Sequence, residues 1–158
     1  KTFTFTGTDW SANPVTEALT GASGGAAQTV NDFATIDLVV MSAKPASGIT
    51  IGTNGVASSR PIFLDRFTFA PTSLQVVVSG TVNYTVQQTF DDPNSPDFPV
   101  LPVNVTWVSI ADTNMVAATG AKVSSFSAAP LYARVLLNSN TNPGYVTGTF
   151  QQYGPNRS

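Results

Sequence analysis

The stretch SLQVVVSGTVNYTVQQTFDD, residues 73–92, alternates between apolar and polar side chains over most of its length. Its even positions are apolar almost throughout, from Leu74 to Phe90, whereas most odd positions carry Ser, Thr, Asn or Gln. Successive side chains of a strand point to opposite faces of the sheet, so a period of two predicts a half-buried β-strand.

A straight strand from Leu74 to Phe90 would span roughly 55 Å, which is too long for a small domain. Ser79-Gly80 must therefore mark a turn or a bend. A two-residue turn would pair Val78 with Thr81 and would mix apolar with polar side chains on one face. A glycine bend keeps the alternation intact, so we predict one long strand that bends at Gly80 and passes between two sheets.

Residues 101–107 repeat the same alternation, which places the two stretches in one core. Residues 33–41 are apolar on both faces, which predicts a strand that is covered on two sides, either by its own fold or by a partner. Shorter strands are expected at 49–51, before a Thr53-Asn54-Gly55 turn, and at 62–69. Residues 132–137 and 145–151 flank Asn142-Pro143-Gly144 and predict a C-terminal hairpin. The predicted core comprises Val76, Val78, Val82, Tyr84, Val86, Phe90, Val103, Val105 and Trp107.

The first residues alternate Phe3 and Phe5 with threonines and lead to Trp10. This pattern predicts either a first strand or an extended arm over residues 1–12 with aromatic anchors. Asn13-Pro14, with Gly21 further on, predicts a short helix between them, because Asn caps helix starts, Pro suits the first turn and Gly closes helix ends. Residues 112–127 are small and polar, which predicts a loop.

Short strands at roughly ten-residue spacing predict an all-β fold, an antiparallel β-sandwich or jelly roll. We expect a single domain over residues 1–158, with at most one short helix and with residues 1–12 as a possible arm.

The composition narrows the function. Charged residues make up only 10% of the chain, while Ser, Thr, Asn and Gln occupy 53 of the 158 positions. Such a neutral surface can pack against other protein without stranding many charges. The net charge of −2 argues against a nucleic-acid partner. No apolar run approaches the ~18 residues of a membrane span, so no membrane partner is expected.

The chain contains no cysteine and no histidine, so it lacks thiolate nucleophiles, the usual general base and the commonest metal ligand. Glu17 is the single glutamate, and no second carboxylate is spaced to form a glycosidase pair with the aspartates. We therefore expect no enzymatic activity, no catalytic residues, no cofactor and no required metal. A calcium site remains an alternative to ordinary turn chemistry for four neighbouring residues, Asp91, Asp92, Asn94 and Asp97.

Residues 92–102 contain four prolines and predict a stiff, protruding loop. Together with the N-terminal aromatic residues, this loop supplies the candidate interface residues: Phe3, Phe5, Trp10, Asp91, Asp92, Pro93 and Phe98. A sugar-stacking platform of Trp10, Tyr84, Trp107 and Tyr132 is the alternative for the aromatic side chains, although Tyr84 and Trp107 fit a core better.

The string SGTVNYTVQQTFDDP, residues 79–93, resembles a segment of small virion structural proteins of tailed bacteriophages. In that group a Gly-Thr-Val/Ala-x-Tyr-Thr-Val-Gln strand runs into an Asp-Asp turn and is followed by a strand bearing Trp, here Trp107. The resemblance extends over about residues 73 to 152. Its later positions are Phe126, Pro130, Ala133, Arg134, Thr147 and Gln151.

The resemblance implies a head decoration (cement) protein that binds and stabilises the shell without catalysis. The implied partners are the major capsid protein and further copies of this chain, as a homo-oligomer and most plausibly a trimer, on the outer capsid surface of the virion. The alternatives are a protein of the tail, neck or fibre and a carbohydrate-binding adhesin module. A secreted hydrolase would need two carboxylates, or a nucleophile and a base, within reach of each other.

Overall fold

The chain folds almost wholly into antiparallel β-strands, and no α-helix occurs among the residues that the structure describes. This computed structural model describes residues 1–46, 48–52, 55–65 and 72–152, without the side chains of residues 103, 142 and 143. The strands are β1 (Thr2–Thr8), β2 (Pro14–Thr20), β3 (Thr35–Met41), β4 (Ala57–Ser58), β5 (Ile62–Phe63), β6 (Ser73–Thr89), β7 (Val108–Ser109), β8 (Lys122–Ser125) and β9 (Tyr132–Gln151). The all-β antiparallel class is confirmed.

The strands divide between two compact units, Lys1–Asn54 and Gly55–Ser158. The first unit has a three-stranded sheet in the order β2-β1-β3. The second has a six-stranded sheet in the order β4-β9-β6-β7, in which β5 also pairs with β9 and β8 also pairs with β6. A single domain over residues 1–158 stays a prediction.

Strand β6 has the predicted alternation and the predicted bend. Gly80 has a φ of +73°, a conformation that glycine adopts without the steric cost that a side chain would bring. The even positions face the core, and Val76, Tyr84 and Val86 are 0% exposed. The prediction that β6 passes from one sheet to another is wrong, because β6 pairs with β9 on both sides of the bend.

Strand β9 replaces the predicted C-terminal hairpin. Its 20 residues pair with β6 from Tyr132 opposite Thr89 to Gln151 opposite Ser73. The register shifts opposite the bend, because Ser79 pairs with Tyr145 whereas Thr81 pairs with Thr141. Residues 142–144 of β9 therefore lie opposite the single residue Gly80, which leaves two extra residues on β9, and the Asn-Pro-Gly signal marks a bulge at the Gly80 bend and not a reversal of the chain.

Gly144 is required at this bulge by close packing. A Cβ atom there would lie 2.9 Å from Val82 Cγ1 and 3.3 Å from the Ser79 carbonyl oxygen, and it would also collide with Asn140 Oδ1. The Asn140 side chain donates a hydrogen bond to the Gly144 carbonyl at 3.0 Å, which fixes the path of the bulge.

The core of the second unit forms between β6, β9 and the segments that cross them. Its buried members are Leu64, Leu74, Val76, Tyr84, Val86, Ile110, Met115, Ala118, Phe126, Ala133 and Val135. Of the predicted core, Val82 is also buried and Val78 is partly buried. The assignment of Phe90 to the core is wrong, because Phe90 follows the end of β6 and is 64% exposed. The side chain of Val103 lies outside the described residues.

The predicted strand over residues 101–107 is also wrong. A 3₁₀-helix spans Pro102–Asn104, and only β7 (Val108–Ser109) pairs with β6 in this region. Pro102 stands at the start of that helix, where a missing amide donor costs nothing. Val105 and Trp107 are consequently only half-buried.

Residues 112–127 are more ordered than the predicted loop. The Asp112 side chain accepts a hydrogen bond from the Asn114 amide and so begins a 3₁₀-helix, Thr113–Met115. Strand β8 follows and pairs with the start of β6. Between them, Tyr84 and Ala118 exchange backbone hydrogen bonds of 2.9 and 2.8 Å.

Two further predicted strands are reduced or absent. Only Ile62–Phe63 of residues 62–69 is a described strand, and residues 66–69 lie outside the described part. Ile49 and Ile51 are exposed and belong to no strand. In the turn predicted after them, Thr53 and Asn54 also lie outside the described part.

In the first unit, the N-terminal residues form the central strand and not an extended arm. Both edges of β1 are occupied, by β2 on one side and β3 on the other. Phe5 is buried on the inner face of this sheet and lies 6.4 Å, between ring centroids, from Phe33. Of the two alternatives for this stretch, the structure has the strand.

The helix predicted between Asn13 and Gly21 is wrong, because these residues form β2. Val15, Glu17 and Leu19 are half-buried and alternate with exposed residues, which is the period of a strand. The turn before β2 is closed by Asp9, whose carboxylate accepts hydrogen bonds from the amides of Ser11 and Asn13. Pairing with β1 along seven residues outweighs the local helix signals.

Glu17 fixes the segment that follows β2. Its carboxylate accepts hydrogen bonds from the Val30 amide at 2.8 Å, the Asn31 amide at 2.9 Å and the Asn31 side chain at 2.9 Å. Desolvation raises the pKa of Glu17, but these three hydrogen bonds outweigh it and hold the pKa below its ordinary value of 4.5.

The attachment of residues 30–31 should therefore depend on pH. A depressed carboxyl pKa stabilises the fold above the unfolded-state pKa, and this stabilisation is lost as the pH falls through the folded-state value. We expect hydrogen-exchange protection of the Val30 and Asn31 amides to persist above the ordinary pKa of 4.5 and to be lost as the pH falls below it. Glu17→Gln should remove this pH dependence, and unchanged protection in the wild-type chain would contradict the assignment.

Candidate interaction surface

The proline-rich segment after β6 is a closed loop with defined internal hydrogen bonds. The Asp91 carboxylate accepts a hydrogen bond from the Thr106 amide at 2.6 Å, which ties the two ends together. The Asp92 carbonyl accepts one from the Val100 amide at 3.1 Å, and the Asp92 carboxylate accepts one from the Asn94 amide at 2.9 Å. We call residues 91–106 the proline loop.

The proline loop is also anchored to the sheet. The Asn94 side chain donates a hydrogen bond to the Tyr132 hydroxyl at 2.8 Å, and Tyr132 lies at the start of β9. The ring of Phe63 on β5 packs edge-on against the Tyr132 ring at 5.4 Å. These contacts attach the loop to β9, in addition to the hydrogen bonds that join its two ends.

The anchored loop presents apolar side chains to solvent. Phe98 is 85% exposed, although its amide is held by the Ser95 hydroxyl at 3.3 Å. Phe90 at the base of the loop is 64% exposed, and Leu101 is 61% exposed. An aromatic side chain held out on a stiff backbone loses little entropy on binding, so it suits a pocket on a partner protein.

The loop closure predicts an effect of mutation at its base. Asp91→Ala removes a charged acceptor from the Thr106 amide, an interaction that typically contributes about 1.5–3 kcal/mol. We expect faster protease cleavage within residues 92–105 with no loss of the β6–β9 sheet. Asp97→Ala, an exposed aspartate of the same loop, is the matched control. Equal cleavage rates for the two variants would contradict a closing role for Asp91.

The carboxylates of the proline loop are used as turn acceptors. Asp91 and Asp92 each accept a backbone amide, which is the ordinary turn chemistry weighed against a calcium cage. Among the residues that the structure describes, no group of three or more acidic side chains is placed to hold a metal ion.

The remaining candidate interface residues lie in the first unit and in different environments. Phe5 is buried, whereas Phe3 and Trp10 are half-buried. A Cβ atom on Gly21 would contact the Phe3 ring at 2.6 Å, so this ring is packed within its own sheet. In the second unit, Asp91, Asp92 and Pro93 are half-buried at the base of the proline loop and Phe98 is exposed at its far side.

Of the aromatic residues weighed as a sugar platform, the two tyrosines are buried and the two tryptophans are half-buried. Tyr84 is 0% and Tyr132 is 6% exposed. The Trp107 ring is covered by the Arg134 guanidinium, whose carbon lies 4.3 Å from the ring centroid. The Arg134 Nε in turn donates a hydrogen bond to Gln87 Oε1 at 2.8 Å, so this cluster braces β6 against β9.

Strand β3 is an exposed apolar edge. Of the two covers predicted for it, its own fold or a partner, its own fold does not supply one, because β3 lies at the edge of its sheet and its burial is low throughout. Ile36, Leu38, Val40 and Met41 are 51%, 56%, 51% and 43% exposed. The apolar run was visible in the sequence, whereas the edge position depends on which strands pair.

Comparison of the chain with protein-family models, with curated proteins and with solved structures found no match. Within the described ranges, no helix has the length and apolar character needed to cross a membrane.

Proposed function

We propose that this chain is a non-catalytic structural protein of a tailed-bacteriophage virion, which binds the outer surface of the head shell and stabilises it. The observation that carries the docking role is the proline loop, which holds Phe98 out of the surface on a hydrogen-bonded frame. The phage assignment rests on the resemblance over residues 79–93 and the later matching positions.

The residues that carry the resemblance pack and form hydrogen bonds in the second unit. These structural roles support the proposal that they belong to a shared scaffold. Tyr84 is buried and donates a hydrogen bond to the Gly120 carbonyl at 2.9 Å. Trp107 stacks with Arg134, and Phe126 packs parallel to Phe150 at 6.2 Å. The Asp91-Asp92 pair begins the proline loop, so the scaffold leads directly to the proposed docking element.

The charge-poor surface is consistent with this role, since a shell contact that buries few charges avoids their desolvation cost. In this proposal the major capsid protein is the partner and the chain acts as a homo-oligomer, a trimer at a symmetric point of the shell. Many copies then bind the same particle, so a modest affinity per copy is sufficient.

The test is the binding of purified full-length chain to particles of its phage from which the chain has been stripped. Phe98→Ser should weaken binding about thirtyfold, because a truncated aromatic anchor typically loses about 2 kcal/mol or more. Val123→Ser is the matched control, since Val123 is 74% exposed on β8 at the other end of β6. Equal affinity for Phe98→Ser and the wild type would contradict docking through the proline loop.

A further inference from the structure

The free edge of β3 has the features of a strand that pairs with another strand. In the first unit, the Ser42 amide donates to the Thr2 carbonyl at 2.9 Å, so Thr2 and Ser42 form a hydrogen-bonded pair. Bonded and non-bonded pairs alternate along antiparallel strands, so Val40 and Leu38 also bond to β1. The amide and carbonyl groups of Val39 and Met41 therefore point away from β1, toward the open edge.

Only part of this edge has the usual protection against pairing. Natural edge strands carry lysine, proline, bulges or inward-pointing charges, or are very short. The register shift opposite Thr6 and Gly7 places a bulge at Asp37, whereas residues 38–41 carry no lysine, proline or charge. Strand β3 is seven residues long, has the sequence TIDLVVM, and contains one charge, Asp37. The opposite edge strand, β2, begins with Pro14, which lacks an amide donor, and carries Glu17.

Apolar side chains are exposed on both faces of β3. Val40 and Leu38 pair with Thr4 and Thr6 and share the outer face of the sheet, whereas Met41 pairs with Phe3 on the inner face. A partner that covered one face would leave the other exposed. A strand added at the edge places its side chains beside both faces at once.

We propose that this strand is β3 of a second copy, paired antiparallel about a two-fold axis at Val39. Each three-stranded sheet then becomes half of a continuous six-stranded sheet. Leu38 lies opposite the partner's Val40, and Val39 lies opposite its own counterpart. The charge pattern favours this register, because each Asp37 falls opposite Met41 and the two carboxylates stay about 14 Å apart, beyond the screening length at physiological salt.

The contact area makes this a weak, concentration-dependent dimer. With the axis at Val39, residues 37–41 of the two strands overlap, so the paired edge is about 17 Å long and about 10 Å thick and pairing buries roughly 350 Å² in total. Stable interfaces usually bury about 1,200 Å² or more, so this dimer is expected to form only at high protein concentration. If the proposed function holds, this two-fold contact leaves no free β3 edge and joins neighbouring oligomers on a shell. Multivalency then strengthens the contact.

The test uses purified chain alone, so its outcome is independent of shell binding. Sedimentation should show that the species present at about 10 μM associates further as the concentration rises to about 1 mM. In hydrogen exchange, the Val39 and Met41 amides should become protected as the concentration rises. A sedimenting mass that does not rise with concentration overturns the proposal, and protection of the β3 amides only on added phage particles would then assign the edge to a shell subunit.

Disulfide trapping tests the register, because the native chain has no cysteine. Leu38 and Val40 are both about half exposed, so cysteine should be tolerated at either position. A mixture of Leu38→Cys and Val40→Cys chains should cross-link at least about tenfold faster than either variant alone, since only unlike positions face each other within disulfide reach. Val123→Cys is the collision control. Equal rates for this control and the mixture overturn the pairing, and faster cross-linking of Leu38→Cys alone overturns the register.

Discussion

Replacing Tyr84 by alanine will lower the free energy of unfolding of the second unit by about 3–5 kcal/mol. Tyr84 is 0% exposed at the centre of β6, and its hydroxyl donates a hydrogen bond to the Gly120 carbonyl at 2.9 Å. Alanine leaves a cavity between β6 and the segment around Met115, and it also leaves the Gly120 carbonyl without this donor. The thermal midpoint should fall by more than about 10 °C.

The matched control is Val77→Ala, because Val77 lies on the opposite face of the same strand and is 44% exposed. It should change the free energy of unfolding by no more than about 0.5 kcal/mol. Tyr84→Phe removes only the hydroxyl and should cost about 1 kcal/mol, which gives a measurable value if the alanine variant does not fold. Similar costs for Tyr84→Ala and Val77→Ala would show that the even face of β6 is not the core.

Deleting residues 1–12 will abolish the sheet of the first unit. Strand β1 lies between β2 and β3, and those two strands have no pairing with each other. Isolated strands are not stable in water, so residues 13–46 should lose their dispersed amide resonances and become sensitive to protease. An extended arm predicts the opposite result, with β2 and β3 retaining their resonances after the deletion.

A milder variant separates this outcome from a general effect of truncation. Removal of Lys1 alone leaves β1 (Thr2–Thr8) intact and should preserve the resonances of β2 and β3. If the longer deletion behaves like this control, the pairing of β1 with both neighbours is wrong.

The core of the second unit could be predicted because its pattern is local. The even positions of β6 are apolar in the sequence, and glycine at position 80 is the residue that allows a bend without changing the parity. Tyr84 and Val86 could therefore be assigned to the core without knowledge of their partners. Phe90 follows the same parity and is exposed, because parity does not reveal where a strand ends.

The elements that were predicted wrongly depend on distant partners. Asn13, Pro14 and Gly21, at the two ends of β2, satisfy the rules for helix ends. The pairing with β1 nevertheless makes residues 14–20 a strand. In β9, Asn142-Pro143-Gly144 has the composition of a hairpin turn, yet the long partner strand continues past it and converts it into a bulge. Turn and bulge signals draw on the same residues, so only the length of the partner distinguishes them.

The location of the proline loop could be predicted from the sequence, but the hydrogen bonds that hold it could not. Prolines and aspartates marked residues 92–102 as a protruding loop, and Phe98 is exposed there. The hydrogen bond from the Thr106 amide to Asp91 joins residues 15 positions apart, and no periodicity in a loop indicates such a partner. The sequence left open whether its own fold or a partner covers β3, since an apolar run looks the same at the centre and at the edge of a sheet.

The number of copies per particle tests most directly the proposal that this chain coats a phage head. Quantitative mass spectrometry of particles purified from the phage that encodes the chain would give this number relative to the major capsid protein. A head decoration protein should be present in hundreds of copies per particle, accessible to surface proteolysis, because a shell offers many equivalent positions. A few copies would place the chain in the tail, neck or fibre, and none would remove it from the virion; either result would contradict a decoration role.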